Sequence, residues 1–191
     1  RKVVLSLHHQ AGVIQSYFGH RYAGIDILYS IETQPLGTGG AIQLALGKLK
    51  PSEPVFVLNG DSLVQLDYQK MMGLHLQHNR KATLATLMVT DCSRYSQLHV
   101  RAGHVYQYNV LGHASAGLIS AGFYVLSPDV FLGHRLPETF SFERDFLHPY
   151  TPAMLPAYYN SVEYFIDIGV PHDYARAQAE IPKLLQNAGA A

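Results

Sequence analysis

The chain has 191 residues, enough for one domain with a sizeable core, and its 14 basic and 14 acidic residues give a formal net charge of zero. That balance argues against a nucleic-acid or anionic-membrane surface, which needs a basic excess. No uninterrupted apolar stretch is long enough to span a bilayer, no signal peptide is visible, and Cys92 is the one cysteine, so no intrachain disulfide forms and a cytoplasmic protein is expected.

Taken in order, Val3 to Leu7 reads as a buried-type strand that starts without a lead-in. The chain begins at Arg1 rather than methionine, and a native segment is inferred to precede it. Ala11 to Phe18 reads as a helix with Val13, Ile14, Tyr17 and Phe18 inward, followed by a loop between Gly19 and Gly24 and a second strand, Ile25 to Ile31. Gln34-Pro35 stops what precedes it. Gly37, Gly39 and Gly40 allow a tight turn and leave amides uncovered, Thr38 is placed to cap a helix, and Ala41 to Leu46 has helical spacing with Ile42, Leu44 and Ala45 or Leu46 inward. Val55 to Leu58 is a short apolar run expected to be covered on both faces, and it ends at Asn59-Gly60-Asp61. Strand, helix, strand, helix, strand predicts a parallel sheet with covering helices.

Asp67 is a good N-cap for a helix to about His78, and Ala82 to Thr90 is β-forming. Leu98 to Val100 and Val105 to Tyr108 read as a hairpin around Gly103, and AGFYVL before Ser127-Pro128 as a strand. Phe142 to Leu147 reads as a short helix opened by Ser141, with Glu143 in its first turn; Pro149, Pro152 and Pro156 mark an irregular crossing. Two short strands, Ala157 to Asn160 and Glu163 to Ile166, precede Asp167-Ile168-Gly169, and Pro171 opens the last helix, which Tyr174 to Leu185 continues; Asn187 to Ala191 is expected to fray.

The chemistry concentrates at strand ends, where ligands bind in open α/β sheets. Asp61 and Asp167 each follow an apolar strand and have a glycine nearby. If both strands share a sheet, the carboxylates share an edge, and two carboxylates plus substrate phosphates is the usual way to hold Mg²⁺. The plainer alternatives stay open: a turn residue for Asp61, a helix cap for Asp167, an ordinary loop for the glycines. A P-loop is excluded because Gly47-Lys48 is followed by Leu49, and a dinucleotide fingerprint because Ile42 stands where its third glycine belongs. The histidines are poorly arranged for a metal, and Arg94-Tyr95 and Glu143-Arg144-Asp145 read as surface or turn groups unless a family pattern says otherwise.

Such a pattern exists. Glu32-Thr33 with Pro35 to Ala41 (PLGTGGA), Val57 to Asp61, Ser93-Arg94-Tyr95 and Phe165 to Gly169, in this order across nearly the whole chain, resemble the sugar-1-phosphate nucleotidyltransferases, nearest the heptose-1-phosphate and mannose-1-phosphate guanylyltransferases. The resemblance implies an α/β fold, a Rossmann-like three-layer α/β/α domain over 1–191 with a mixed, mostly parallel central sheet. It implies transfer of a nucleoside monophosphate, GMP by branch, from an NTP such as GTP to a sugar 1-phosphate with release of pyrophosphate. Asp61 and Asp167 are then the catalytic Mg²⁺ ligands. Glu32, Pro35, Leu36, Gly37, Thr38, Gly39, Gly40, Asn59 and Gly60 are the nucleotide side, Gly122 (with Ala121) and Glu143 the sugar side. Oligomerisation is left open.

Three departures accompany the likeness. The family's glycine-rich signature belongs before the first strand and is missing; the chain as written is therefore expected to turn over poorly. The family's Glu-Lys pair after a Val-x-x-Phe strand is replaced by Val110-Leu111 after Val105-Tyr106-Gln107-Tyr108, and Ser120 replaces an asparagine. The second of these also fits a non-catalytic relative that binds nucleotide or sugar phosphate as a regulatory or assembly domain. A generic Rossmann-like binding domain would leave the two strand-end aspartates unexplained.

Overall fold

A computed structural model describes residues 2–188. Eleven strands and five α-helices follow one another as β1 (Lys2–Leu7), α1 (Ala11–Phe18), β2 (Arg21–Tyr22), β3 (Ile25–Ile31), α2 (Gly37–Leu49), β4 (Val55–Leu58), β5 (Ser62–Leu66), α3 (Tyr68–His78), β6 (Ala82–Val89), β7 (Gln97–Arg101), β8 (His104–Asn109), β9 (Gly117–Leu126), a π-helix (Phe142–Leu147), α4 (His148–Met154), β10 (Ala157–Tyr159), β11 (Val162–Asp167) and α5 (Pro171–Ala188). Of the expected frayed tail, the helix takes in 187–188 and 189–191 lie outside the described residues.

The central sheet has six strands in the order β4-β9-β6-β10-β8-β7. It is mixed, as expected, but its pairings are chiefly antiparallel: β6 and β10 run parallel, while β9 enters between β4 and β6 antiparallel to both. The reason is compositional. β9, GLISAGFYVL, is almost wholly apolar and takes the position buried on both faces and both edges. Its side chains alternate, Tyr124 and Leu126 packing with the π-helix and α4 on one face, Phe123 and Val125 with α3 and β5 on the other. The sheet therefore separates two apolar layers, which is the three-layer arrangement. β1 and β3 pair in parallel in a separate small sheet, with β2 added antiparallel.

Several local expectations change. α1 has the anticipated bounds, but Val13 and Tyr17 are exposed, because the helix covers only the small β1-β3-β2 sheet. The loop between Gly19 and Gly24 contains β2, which turns back onto β3. β4 is half-buried rather than covered on both faces, since β9 is its one strand neighbour among the described residues. Thr38 does not cap α2: the helix starts one residue earlier, its N-cap Leu36 makes no side-chain cap bond, and Thr38 reaches the π-helix instead. Pro149 and Pro152 sit within α4 rather than in an irregular crossing. Asp67 caps α3 as anticipated, Oδ1 accepting from the Lys70 amide at 2.9 Å. No helix among the described residues is long and apolar enough to cross a membrane.

Candidate active site

Asp61 and Asp167 are brought together, though not by a shared central sheet. β5, unrecognised in the sequence, runs back from Asp61 and pairs antiparallel with β11, so that Asp167 stands opposite Ser62. The turn is closed when the Ile168 amide donates to the Asp61 carbonyl at 3.0 Å. The two carboxylates thus sit on adjoining residues of one ribbon end. Asp167 Oδ1 accepts from the Gly169 amide at 2.6 Å, which fixes one oxygen and leaves the other free. Asp61 is exposed, with a long 3.4 Å contact from the Ser62 hydroxyl. Among the described residues no third His, Cys, Asp or Glu joins them into a protein-only metal cage. Two carboxylates open to solvent suit Mg²⁺, which keeps waters and takes its remaining ligands from substrate phosphates.

Beside this ribbon lies a cavity of about 180 Å³ lined by Asn59, Ser62, Gly122, Glu143 and Asp167, among others. β9 shapes it with a bulge: the β6 pairing jumps from Leu84–Tyr124 to Thr86–Ser120, leaving extra residues around Gly122. Gly122 is left-handed (φ 66°), and a Cβ there would lie 2.5 Å from Asn59 Nδ2. The Asn59 amide donates to its carbonyl at 2.9 Å. Only glycine meets both demands. A larger depression of about 320 Å³, by Asn79–Lys81 and Tyr150, has no carboxylate in its lining and sits at the start of β6, away from both aspartates.

Glu143 enters from the π-helix, whose start is fixed reciprocally: Ser141 Oγ accepts from the Arg144 amide at 3.2 Å and Asp145 Oδ2 from the Ser141 amide at 2.7 Å. Glu143 Oε2 accepts from Thr38 Oγ1 (2.9 Å) and Ser141 Oγ (3.3 Å), and Oε1 from the Tyr124 hydroxyl (3.3 Å). Thr38 Oγ1 in turn accepts from the Phe142 amide at 2.8 Å. The glycine loop and the cavity are thereby joined across more than a hundred residues of sequence.

The loop itself departs from expectation. The Gly39 and Gly40 amides are not uncovered; they donate to the Phe140 carbonyl at 2.9 and 3.4 Å. A Cβ at Gly39 would overlap the Phe140 ring, and one at Gly37 or Gly40 would come within 2.6 Å of the carbonyl of Phe140 or Glu138. These glycines are required by close packing on residues 138–140. Glu32 likewise turns inward, Oε2 accepting from the Leu36 amide at 2.8 Å, and so braces the loop.

Arg94, read from the residues as a surface or turn group and included in the family resemblance, is exposed and also borders the cavity. Its guanidinium lies 5.5 Å from the Tyr95 ring centroid and 2.8 Å from Asp173 Oδ2. That ion pair, with Arg176 adding to it, holds the Asp173 carboxyl below the usual range. Ser96, Tyr108, Ser120 and Tyr124 complete a hydroxyl-rich wall that sequence reasoning missed. The useful signal was their concentration on β8, β9 and the turn after β6; Val110 and Leu111 are not part of the lining.

A carboxylate pair at a ribbon end, beside a polar cavity and a helix entered through glycines, defines a nucleotide-handling α/β domain. The chain belongs to the nucleotidyl transferase family, whose model matches residues 1–183. It is 40% identical over 182 residues to D-glycero-alpha-D-manno-heptose 1-phosphate guanylyltransferase of Aneurinibacillus thermoaerophilus, covering 94% of this chain and 78% of that protein. The protein of the same name from Campylobacter jejuni is 37% identical over 175 residues, with 91% and 76% covered. The crystal structure of HddC from Yersinia pseudotuberculosis complexed with GMP-PN superimposes with a TM-score of 0.77 at 32% identity, covering 93% of this chain and 77% of that one.

Proposed function

We propose that the protein transfers GMP from GTP to a heptose 1-phosphate, releasing pyrophosphate. The observation that carries this reading is the β5–β11 pairing, which sets Asp61 beside Asp167 at the edge of the cavity holding Gly122 and Glu143. The guanylyltransferase names of the relatives and the GMP-PN complex of HddC supply the choice of base and sugar.

In this assignment an oxygen of the sugar phosphate attacks the α-phosphorus, a new P–O bond forms, and the bond to the β-phosphate breaks, its electron pair leaving with pyrophosphate. Catalysis is then positioning and charge neutralisation. Asp61 and Asp167 hold Mg²⁺, which when bound neutralises charge on the transferring phosphoryl group. Glu143 and Gly122 hold the sugar. Arg94 puts a guanidinium on the cavity wall, with its charge shared with Asp173. Pro35, Leu36 and the Gly37–Gly40 segment, braced by Glu32 and Phe140, form a fixed wall for the base, with Asn59 and Gly60 below it.

The test is pyrophosphate release by the full-length protein carrying this sequence, with each of the four NTPs against heptose-, mannose- and glucose-1-phosphates. Release with GTP and heptose 1-phosphate, abolished by Mg²⁺ removal, is expected. Nucleotide binding without release from any pair would favour the non-catalytic reading that Val110-Leu111 suggests.

A further inference from the structure

The charged groups on the cavity wall are unevenly divided: Glu143 and Asp167 are carboxylates, and Arg94 is the one cation among the described lining residues. Arg94 lies in the segment between β6 and β7 and is exposed. A long side chain in such a place ordinarily keeps its rotamer freedom. Here it is tethered. Asp173, in the first turn of α5, is 6% exposed, and its Oδ2 accepts from Arg94 Nη1 at 2.8 Å.

Asp173 is itself anchored. Its Oδ1 accepts from Arg176 Nη1 at 3.0 Å, with His172 Nδ1 3.5 Å away. Arg176 Nε lies 3.2 Å from Glu180 Oε1, and Glu180 Oε2 accepts from the Tyr164 hydroxyl at 2.6 Å. Tyr164 stands on β11, the strand that ends at Asp167. The chain of polar contacts thus ties Arg94 back to the element that carries a site carboxylate. Exposed ion pairs contribute little, but a carboxylate withdrawn from water must keep its partners, so Asp173 holds what it grips. The guanidinium still has donors to give. Its fork carries several N–H groups; one goes to Asp173, and no other hydrogen bond from it is made among the described residues.

We infer that Asp173 is a positioning residue: it fixes Arg94 on the cavity wall so that the free donors of the guanidinium meet the phosphate of the sugar 1-phosphate. This rests on the cavity being the sugar site, as proposed above. An anionic substrate entering between Glu143 and Asp167 meets like charge there, and a planar guanidinium matches phosphate oxygens in both charge and geometry. A guanidinium already held in place loses less freedom when it binds than one that must first be ordered.

The experiment is a double-mutant cycle on the full-length protein carrying this sequence: wild type, Arg94→Met, Asp173→Asn and the double variant, each with heptose 1-phosphate and GTP varied in turn and with a thermal melt. Unphosphorylated heptose serves as a competitive inhibitor that keeps the sugar contacts and lacks the phosphate. Arg94→Met is expected to raise KM for heptose 1-phosphate about tenfold, the scale of one charged hydrogen bond, with KM for GTP and inhibition by heptose unchanged. Asp173→Asn should raise the same KM several-fold and add nothing once Arg94 is methionine. If Asp173→Asn does not fold, Asp173→Glu, which keeps the buried charge and shifts it by one methylene, takes its place in the cycle. An unchanged KM in Arg94→Met would overturn the inference. So would the same effect of the Asp173 change with and without Arg94, or an equal loss towards heptose and heptose 1-phosphate, as the marks of a structural role. No transfer by wild type with any sugar 1-phosphate would instead overturn the proposed function, and this inference with it.

Discussion

The polar groups of the glycine loop find their partners inside the protein. Leu36 donates to Glu32, Gly39 and Gly40 donate to Phe140, and Thr38 is shared between Glu143 and Phe142. At the carboxylate ribbon, Asp61 faces solvent and Asp167 has a single short protein bond, from Gly169. One region is a finished mould, and in the other the carboxylates have few protein partners. Groups that satisfy each other rigidify a structure, whereas carboxylates with few protein partners contribute little to the packing. Mutations at the loop should therefore damage stability, and mutations at the ribbon should damage turnover.

The largest effect is expected at the ribbon. Asp61→Asn and Asp167→Asn should each reduce pyrophosphate release by roughly 10²–10³-fold, the range for removing one electrostatic stabiliser. Unfolding free energy should stay within about 0.5 kcal/mol of wild type, as for exposed positions. Urea melts alongside the assay check this; a large loss of stability would mean that the ribbon too is structural.

At the loop the opposite pattern is expected. Gly39→Ala drives a methyl into the Phe140 ring and should destabilise by about 1–3 kcal/mol, the cost of overpacking. Gly47, in the same helix, has open space where its Cβ would be. Gly47→Ala should therefore stabilise, by up to about 1 kcal/mol, through helix propensity. Denaturant midpoints for the pair separate close packing from helix propensity within one element.

Thr38 joins the two behaviours. Thr38→Val keeps the shape but leaves the Phe142 amide and Glu143 each short of a partner. It should cost about 1 kcal/mol in stability and raise KM for the sugar phosphate several-fold, with KM for GTP less affected. Steady-state kinetics with each substrate varied in turn would show the split.

How much of this could be read beforehand depended on distance along the chain. Local chemistry was legible: the Asp67 cap, the Ser141 cap, and the bounds of α1 and β3 rest on neighbours within a few residues. β5 was legible in principle, since Val64 and Leu66 alternate with exposed Leu63 and Gln65, but Asn59-Gly60-Asp61 drew the whole segment into a turn. The Phe140 clamp on the glycines was not legible, because nothing near Gly39 names a partner a hundred residues on. Nor was the outward turn of Val13 and Tyr17: helical spacing identifies a face, and tertiary context decides whether anything covers it. The motif residues pointed to the right chemistry partly for the wrong local reason. The glycines were read as exposing amides for a base, while their amides and absent side chains serve the packing beneath.

The smallest effect belongs to a group remote from both regions. His75, on α3, is 2% exposed, with Nδ1 2.9 Å from Thr83 Oγ1 and Nε2 3.2 Å from Ser127 Oγ. Burial holds its pKa below the ordinary value of 6.5. The folded protein thus resists protonating a ring that the unfolded chain protonates readily. Below about pH 6.5 the unfolded state binds more protons, so stability declines as pH falls from there toward the lowered folded value and rises as pH is restored. The full contribution is present above the unfolded pKa. Urea midpoints between pH 5 and 7.5 should fall on the acid side in wild type. In His75→Gln, whose amide can still bond both hydroxyls but cannot titrate there, the acid-side slope should be shallower. An identical slope in the variant would assign the acid sensitivity to other groups and leave His75 a neutral core member at every pH tested.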